Sequence, residues 1–568
     1  MLDSKSRREE TDFSLLDYLH GRTELNPVEG EGGANSGGKE DNLLITAVRD
    51  LKLRDLLTLP VGNLSNGQTR RARIAKALIG RPEVLLLDEP FMGLDPPTVA
   101  TLSPLLGRIA ASHSPRLILS LRPQDPIPQW ITHLVYLGPT GVRQGTKDDI
   151  LRELREQSLI AEPSECLDQN LIASPQGMDR VPATKNVLKR LNQKSKPRSI
   201  EGDRSNKQIA GEGKTLGEPL VEMNGVRVRY GEKEVVGGPL VENQNIQEEG
   251  LWWTVRRGDR WGLFGPNGSG KTTILSLICS DHPQSYSQPL RIFGHSRLPA
   301  PGKLGISIFD IQQRIGHSSP EIHAFFPKDL TVRHVLENAW ADTFLSKPQL
   351  NASRDRDVDA CLRWFQSQLN PNFSPTEESP TNQNEIFNPA ERTQRGRRAR
   401  KLNEHRAMEV EIEDFLSTDL DWADTLRFGD LPFSAQRVAL FLRAVIKKPD
   451  LVILDEALSG MDDFVRDKCM LFLAHGETKT FTGGLDYRSR KQRGVQESIL
   501  SAVGRVRFQG LGEGQALICV SHVKEEVPPV VKEWLVLPEA GSGLPMRLGR
   551  IEEPLGDGIL KWGDIWAK

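Results

Sequence analysis

The chain has 568 residues, with 74 Lys and Arg against 76 Asp and Glu. That length is enough for several domains with buried cores, and the balanced charge makes no whole-chain case for or against nucleic acid. The five cysteines (Cys166, Cys279, Cys361, Cys469 and Cys519) are far apart and form no C-x-x-C, which argues against structural zinc and for a reducing compartment. No apolar run reaches the length of a membrane span, and residues 1–15 are too charged for a secretory signal. The expected location is cytoplasmic. A mitochondrial presequence ahead of Met1 is the alternative.

Residues 1–24 predict one short helix around Phe13–Leu19, and the Gly-rich, polar stretch 25–42 predicts a flexible loop. A dense segment follows. Leu64-Ser-Asn-Gly-Gln68 precedes Arg70–Leu78, which has helical apolar spacing. Val84-Leu-Leu-Leu87 reads as a buried strand that ends in Asp88 and Glu89, and Gly93-Leu-Asp95 closes the run. Residues 97–112 read as a helix, Arg116–Ser120 and His133–Leu137 as strands, and residues 147–157 as a helix.

Residues 158–215 are polar, with scattered Pro and Ser and ten basic residues between Arg180 and Lys214. They predict a disordered linker, with a basic arm for RNA or another partner as the other reading. Leu220–Tyr230 alternates apolar and polar residues and predicts a strand pair, and residues 236–250 predict a loop insertion.

Gly265, Pro266, Asn267, Gly268, Ser269, Gly270, Lys271, Thr272 and Thr273 satisfy G-x-x-x-x-G-K-[ST]. In such a loop, glycines let backbone N–H groups turn inward around phosphate oxygens. Lys271 can then reach the terminal phosphates and the Thr272 hydroxyl can ligate Mg²⁺. The following helix would point its positive end at the anion. Arg260–Phe264 before the loop reads as a short buried strand, and Thr273–Ile278 after it as a helix, which is the context the motif needs.

Residues 330–365 predict a helical subdomain, and residues 368–412 a disordered insertion that turns strongly basic near its end. Leu451-Val-Ile-Leu454 repeats the earlier strand and ends in Asp455 and Glu456. Ser459-Gly-Met-Asp462 follows, then a polar insertion at 476–498, then Leu517-Ile-Cys-Val-Ser-His522.

These segments together resemble the ABC ATPase superfamily. Leu64–Gln68 resembles the signature L-S-G-G-Q, Asp88-Glu89 the Walker B aspartate and its catalytic glutamate, and Gly93–Asp95 the D-loop. The wording from Leu251 to Trp261 and from Gln436 to Ala444 is similar to the soluble tandem members of the ModF (photorepair) type and their fungal relatives. The resemblance implies an α/β fold of two P-loop nucleotide-binding domains, each with a RecA-like core, a β-subdomain and a helical subdomain. The first, residues 1–157, is partial, without a phosphate-binding loop ahead of Leu64. Residues 216–568 form the complete second domain, after the linker.

Spacing places the second signature. Ser65 and Gln68 lie 23 and 20 residues before Asp88, and Pro432 and Ala435 lie 23 and 20 before Asp455. By this alignment the second signature has Pro432, Ser434 and Ala435 where Ser, Gly and Gln are expected. The first half has Leu121 where the switch histidine is expected, and Pro320 stands at the Q-loop glutamine, with Glu321 next as a substitute.

In the family, two halves meet head to tail, and each ATP lies between the phosphate loop of one half and the signature of the other. Here that rule implies one intact site. Tyr230, 41 residues before Lys271, would stack on adenine. The phosphate loop and Asp455, Glu456 and His522 would face Ser65, Gly67 and Gln68. The implied roles are Mg²⁺ ligation for Thr272 and Asp455, polarisation of water for Glu456, and γ-phosphate contact for His522 and Lys271. The other site would hold the losses.

The expected activity is ATP hydrolysis that opens and closes the two halves, within one chain or a dimer, for an unidentified protein partner. One alternative is the ATP-binding subunit of a transporter with a separate membrane chain, without membrane insertion of this chain. The other is a ribosome-associated factor of the ABC-F kind. Nucleic-acid or ribosome binding is left open but not indicated.

Overall fold

The structure is a computed structural model. It describes residues 13–21, 39–156, 217–299, 305–373, 415–481, 494–550 and 562, apart from short gaps. The linker 158–215, most of the insertion 368–412 and residues 482–493 lie outside the described residues.

The N-terminal half starts with helix α1 (Leu15–His20), whose Ser14 and Asp17 form a capping box and whose end is turned by Gly21 at φ 78°. Helix α2 (Lys39–Asp50) begins inside the stretch expected to be a loop. Helices α3 (Asn66–Ile79) and α4 (Pro96–Ala111) flank strand β1 (Val84–Asp88). Strand β2 (Arg116–Ser120) pairs parallel to β1, with Asp88 opposite Ser120. Strands β3 (His133–Gly138) and β4 (Gly141–Thr146) form an antiparallel hairpin, followed by helix α5 (Lys147–Glu156).

One face of this small sheet packs on α1, α3 and α4 through Leu15, Leu19, Ala75, Leu85, Leu102 and Leu106. Among the described residues the other face is uncovered: Leu86 is 70% exposed and Ile118 58%. The expectation of a buried strand therefore holds for one face of β1 only.

The C-terminal half opens with β5 (Pro219–Val226) and β6 (Val228–Tyr230). Both expected strands are present, but they do not pair with each other. Strand β5 pairs with β10 (Leu251–Arg256), and β6 with β7 (Lys233–Val236). The expected loop insertion contains a hairpin, β8 (Pro239–Glu242) with β9 (Asn245–Glu249). Neither Pro239–Glu242 nor Asn245–Glu249 has the apolar alternation of a half-buried sheet, so the sequence did not reveal it.

After β11 (Arg260–Phe264) and helix α6 (Lys271–Cys279), β12 (Leu290–Ile292) and β13 (His295–Ser296) complete an antiparallel sheet in the order β10-β5-β12-β13. Then come helix α7 (Ile308–Arg314), strand β14 (Ile315–Ser318) and the helices α8 (Pro320–Phe325), α9 (Val332–Glu337), α10 (Ala352–Trp364) and α11 (Gln366–Leu369). Helices α12 (Asp421–Thr425) and α13 (Phe433–Ile446) close this helical part.

Strands β15 (Leu451–Asp455), β16 (Lys479–Phe481), β17 (Val495–Glu497), β18 (Ala516–Val520), β19 (Glu533–Val536) and β20 (Arg547–Arg550) follow, with helix α14 (Asp463–His475) after β15. The main sheet runs β14-β15-β18-β11-β19-β20, parallel except for its last pair. The ends of the insertion 476–498 pair as β16 and β17.

Helix α6 lies between the two sheets. Its Ile274, Leu277 and Ile278 join Val221 and Val255 of one sheet and Ile453 and Ile518 of the other in one core. A second core joins the helical part to the opposite face of the main sheet through Phe428, Phe441 and Val452. Burial on both faces explains why β15 and β18 are continuous apolar runs.

Candidate nucleotide site

Strand β11 delivers the chain to Gly265 (φ 144°), and α6 starts after Gly270 (φ 93°). A Cβ on Gly265 would lie 2.6 Å from the Leu537 carbonyl oxygen, and one on Gly270 2.7 Å from Val236 Cγ2. Only glycine fits either place. Lys271 is buried, and its Nζ donates to the carbonyls of Gly265 (2.9 Å) and Pro266 (3.0 Å). Burial lowers its pKa, against the opposing charges of Glu456, Asp455 and Asp95.

Asn267 Nδ2 and Ser269 Oγ are buried in the loop, without hydrogen-bond partners among the described residues. Buried donors of this kind, at the N-terminus of a helix, suit the oxygens of a phosphate. Thr272 stands exposed in the first turn of α6.

The main sheet brings the carboxylates to the same place. Asp455 ends β15, beside β18, which is itself beside β11. Its pKa is pushed up to about 8 by burial and by the charges of Glu456 and Glu321. The charges of Lys271 and Arg437 oppose this rise without overcoming it. The Thr272 hydroxyl and the Asp455 carboxyl are the groups that could hold a divalent cation. Among the described residues no group of three or more His, Cys, Asp or Glu could hold a metal ion.

Glu456 has φ +46°, its N–H donates to Val520 O (2.9 Å), and its Oε1 lies 3.3 Å from His522 Nε2. Burial pushes the Glu456 pKa up, but the His522 bond and the charges of His522, Lys271 and Arg437 outweigh it and hold the carboxyl low. Tyr230 is 52% exposed at the end of β6.

A model of the ABC transporter family matches residues 6–92 and 249–459. An uncharacterized ABC transporter ATP-binding protein of Schizosaccharomyces pombe is 30% identical over 84% of this chain and 69% of its own length. The chain belongs to the ABC ATPase family. An uncharacterized ABC transporter ATP-binding protein of Saccharomyces cerevisiae is 30% identical, over 75% of this chain and 66% of that one. The ABC transporter ATP-binding protein ModF of Escherichia coli is 28% identical, over 73% and 65%. The chain thus spans about two thirds of the length of these relatives. Among the described residues, no helix is long and apolar enough to cross a membrane.

The two ABC halves repeat one another around Walker B. Glu89 has φ +41° and its N–H donates to Ser120 O (3.1 Å), as Glu456 does to Val520 O. Asp88 pairs with Ser120 as Asp455 pairs with Val520. This register corrects the sequence alignment of the switch. Leu121 is the equivalent of Ser521, so Arg122 is the equivalent of His522. Arg122 lies outside the described residues. The histidine is absent from the first half in either alignment.

Of the first signature, Ser65 lies outside the described residues, while Gly67 and Gln68 fall in the first turn of α3. The altered second signature is held within its own half. Pro432 is the N-cap of α13 and Ala435 is buried. A Cβ on Gly460 would lie 2.4 Å from the Phe433 ring, and Gln436 Oε1 bonds His323 Nε2 at 2.7 Å. Glu321 sits in the first turn of α8, after the N-cap Ser319, and its charge acts on Asp455 and Arg437.

The sequence reading missed Arg437 and the reach of the D-loop acid Asp95 to the phosphate loop. Arg437 is buried, and burial lowers its pKa against the charges of Glu456, Glu526 and Asp455. Its equivalent Arg70 donates to the carbonyls of Glu89 (2.6 Å) and Met92 (2.7 Å). Both arginines precede their Walker B aspartate by 18 residues, a spacing that could have found them. Asp95, the D-loop acid of the first half, is 2% exposed, and its charge acts on Lys271 of the second.

Proposed function

We propose that this ABC ATPase binds and hydrolyses ATP at one composite site. The site consists of the phosphate loop, Asp455, Glu456 and His522 of the second half, faced by Ser65, Gly67 and Gln68 of the first. The observation that carries this reading is the action of Asp95 on Lys271: an acid of the first half lies within electrostatic reach of the phosphate loop of the second. The two halves also belong to one compact unit.

In this reading Lys271 and the loop amides offset phosphate charge, and Tyr230 stacks on the base. Thr272 and Asp455 would hold Mg²⁺, which would offset negative charge on the phosphates. Glu456 accepts a proton from the attacking water, and His522, 3.3 Å away, orients Glu456 and the γ-phosphate. The γ-phosphoryl group passes to water, and ADP and inorganic phosphate leave. Ser65 and the N-terminus of α3 complete the cage around the γ-phosphate. Because the γ-phosphate would bridge the halves, its loss lets them open.

The test is ATP turnover by the full chain beside Lys271→Ala and Ser65→Arg. Loss in both supports the composite site. Loss in Lys271→Ala alone would show that the first half does not complete it.

A further inference from the structure

Tyr230 is held by the element that carries the phosphate loop, and from both of its ends. At the front, Tyr230 pairs with Lys233 across the β6–β7 hairpin. The end of β7 lies against the loop: a Cβ on Gly270 would be 2.7 Å from Val236 Cγ2 and 2.9 Å from Val235 O. At the back, the chain leaves α6 through Ser280 in the left-handed region (φ 63°) and reaches His282.

His282 is buried and caps the 3-10 turn Pro283–Tyr286, with Gln284 N–H donating to its Nδ1 at 3.1 Å. Nδ1 is therefore an acceptor, and in the neutral ring Nε2 carries the proton. Nε2 lies 2.7 Å from Tyr230 Oη, and the rings meet edge to face at 5.8 Å. Gln284 Nε2 adds a second tie, to Arg229 O at 2.9 Å. The tyrosine is thus pinned at its polar end while about half of it remains in solvent.

We infer that His282 is a positioning residue for the nucleotide base, holding the Tyr230 ring as a preset platform beside the phosphate loop. This rests on the reading of Tyr230 as the base-stacking residue. An exposed tyrosine free to turn would lose rotamer freedom on stacking, and fixing it beforehand removes that cost from binding. Burial also lowers the pKa of His282, which keeps the ring in the neutral form that this arrangement needs.

The experiment is calorimetric titration of the full chain with ATP and, separately, with inorganic tripolyphosphate, which has no base. His282→Ala and Tyr230→Phe should each weaken ATP binding roughly 3- to 10-fold and leave tripolyphosphate affinity unchanged. The double variant should be no weaker than either single one, because both remove the same contact. His282→Gln, which keeps a donor, should restore much of the affinity.

Tyr230→Ala separates the two ideas. If it leaves ATP affinity intact, the stacking reading fails and the inference with it. If it weakens ATP while His282→Ala and Tyr230→Phe do not, stacking stands and the positioning role is overturned. Multiplying effects in the double variant, or equal losses for tripolyphosphate, would also overturn it. Should His282→Ala fail to fold, Tyr230→Phe decides alone, since it removes only a hydroxyl from a half-exposed ring.

Discussion

Glu89 and Glu456 have the same left-handed backbone, φ +41° and +46°, and each donates its N–H to the neighbouring parallel strand. Such a conformation in a non-glycine residue costs about 1 kcal/mol or more and persists where the surroundings enforce it. Here the strand pairing enforces it in both halves. The Walker B corner is therefore intact in the half whose switch position has changed, and geometry alone does not distinguish the two glutamates. Their surroundings do: Glu456 has His522 at 3.3 Å.

Glu456→Gln should lower ATP turnover by at least about 100-fold while ATP binding is kept, because a general base is worth roughly that much. Glu89→Gln should change turnover less than about 2-fold. Steady-state phosphate release by both variants decides the assignment, and equal losses would place a second working site in the first half.

Gly268 and Gly270 provide a test of the phosphate loop. Both have φ in the left-handed region, +80° and +93°, but among the described residues a Cβ on Gly268 meets nothing within 4 Å, whereas one on Gly270 runs into Val235 and Val236. Gly268→Ala should cost about 1 kcal/mol of stability, from backbone strain alone. Gly270→Ala should cost about 2–4 kcal/mol, adding a clash to the strain, and should weaken ATP binding because it displaces the hairpin that carries Tyr230. Urea unfolding of both variants measures the contrast.

Leu86 and Ile453 stand at the same position of equivalent strands, two residues before Asp88 and Asp455. Leu86 is 70% exposed and Ile453 fully buried. Leu86→Ala should therefore change stability by less than about 0.5 kcal/mol, and Ile453→Ala should cost about 3 kcal/mol. A large loss for Leu86→Ala would mean that its face is covered in solution.

His317 supplies a pH dependence. Burial, with the charge of Arg443 added, lowers its pKa to about 4. Above about pH 6.5 the ring is neutral in the folded and unfolded chain, and its full contribution to stability is present. As pH falls from about 6.5 towards 4, the unfolded chain takes up a proton that the folded chain refuses, and stability drops. The loss of stability between pH 7 and pH 5, read from urea midpoints, should be smaller in His317→Gln than in the parent chain.

Much of this protein was legible in its sequence, because the relevant signals are local. The phosphate loop needs its glycines and lysine at fixed offsets, and β15 and β18 show their double burial as unbroken apolar runs. The 23- and 20-residue spacings located the altered signature at Pro432–Ala435, where the N-terminus of α13 lies. The β8–β9 hairpin, the true equivalent of His522 at Arg122, the bare face of β1 and β2, and the grip of His282 on Tyr230 were not legible. Each depends on contacts between residues far apart in the chain, or on a ladder register in which a slip of one residue changes every partner. Hydrophobic periodicity reports which residues share a face of their own element. Only the folded chain decides what, if anything, covers that face.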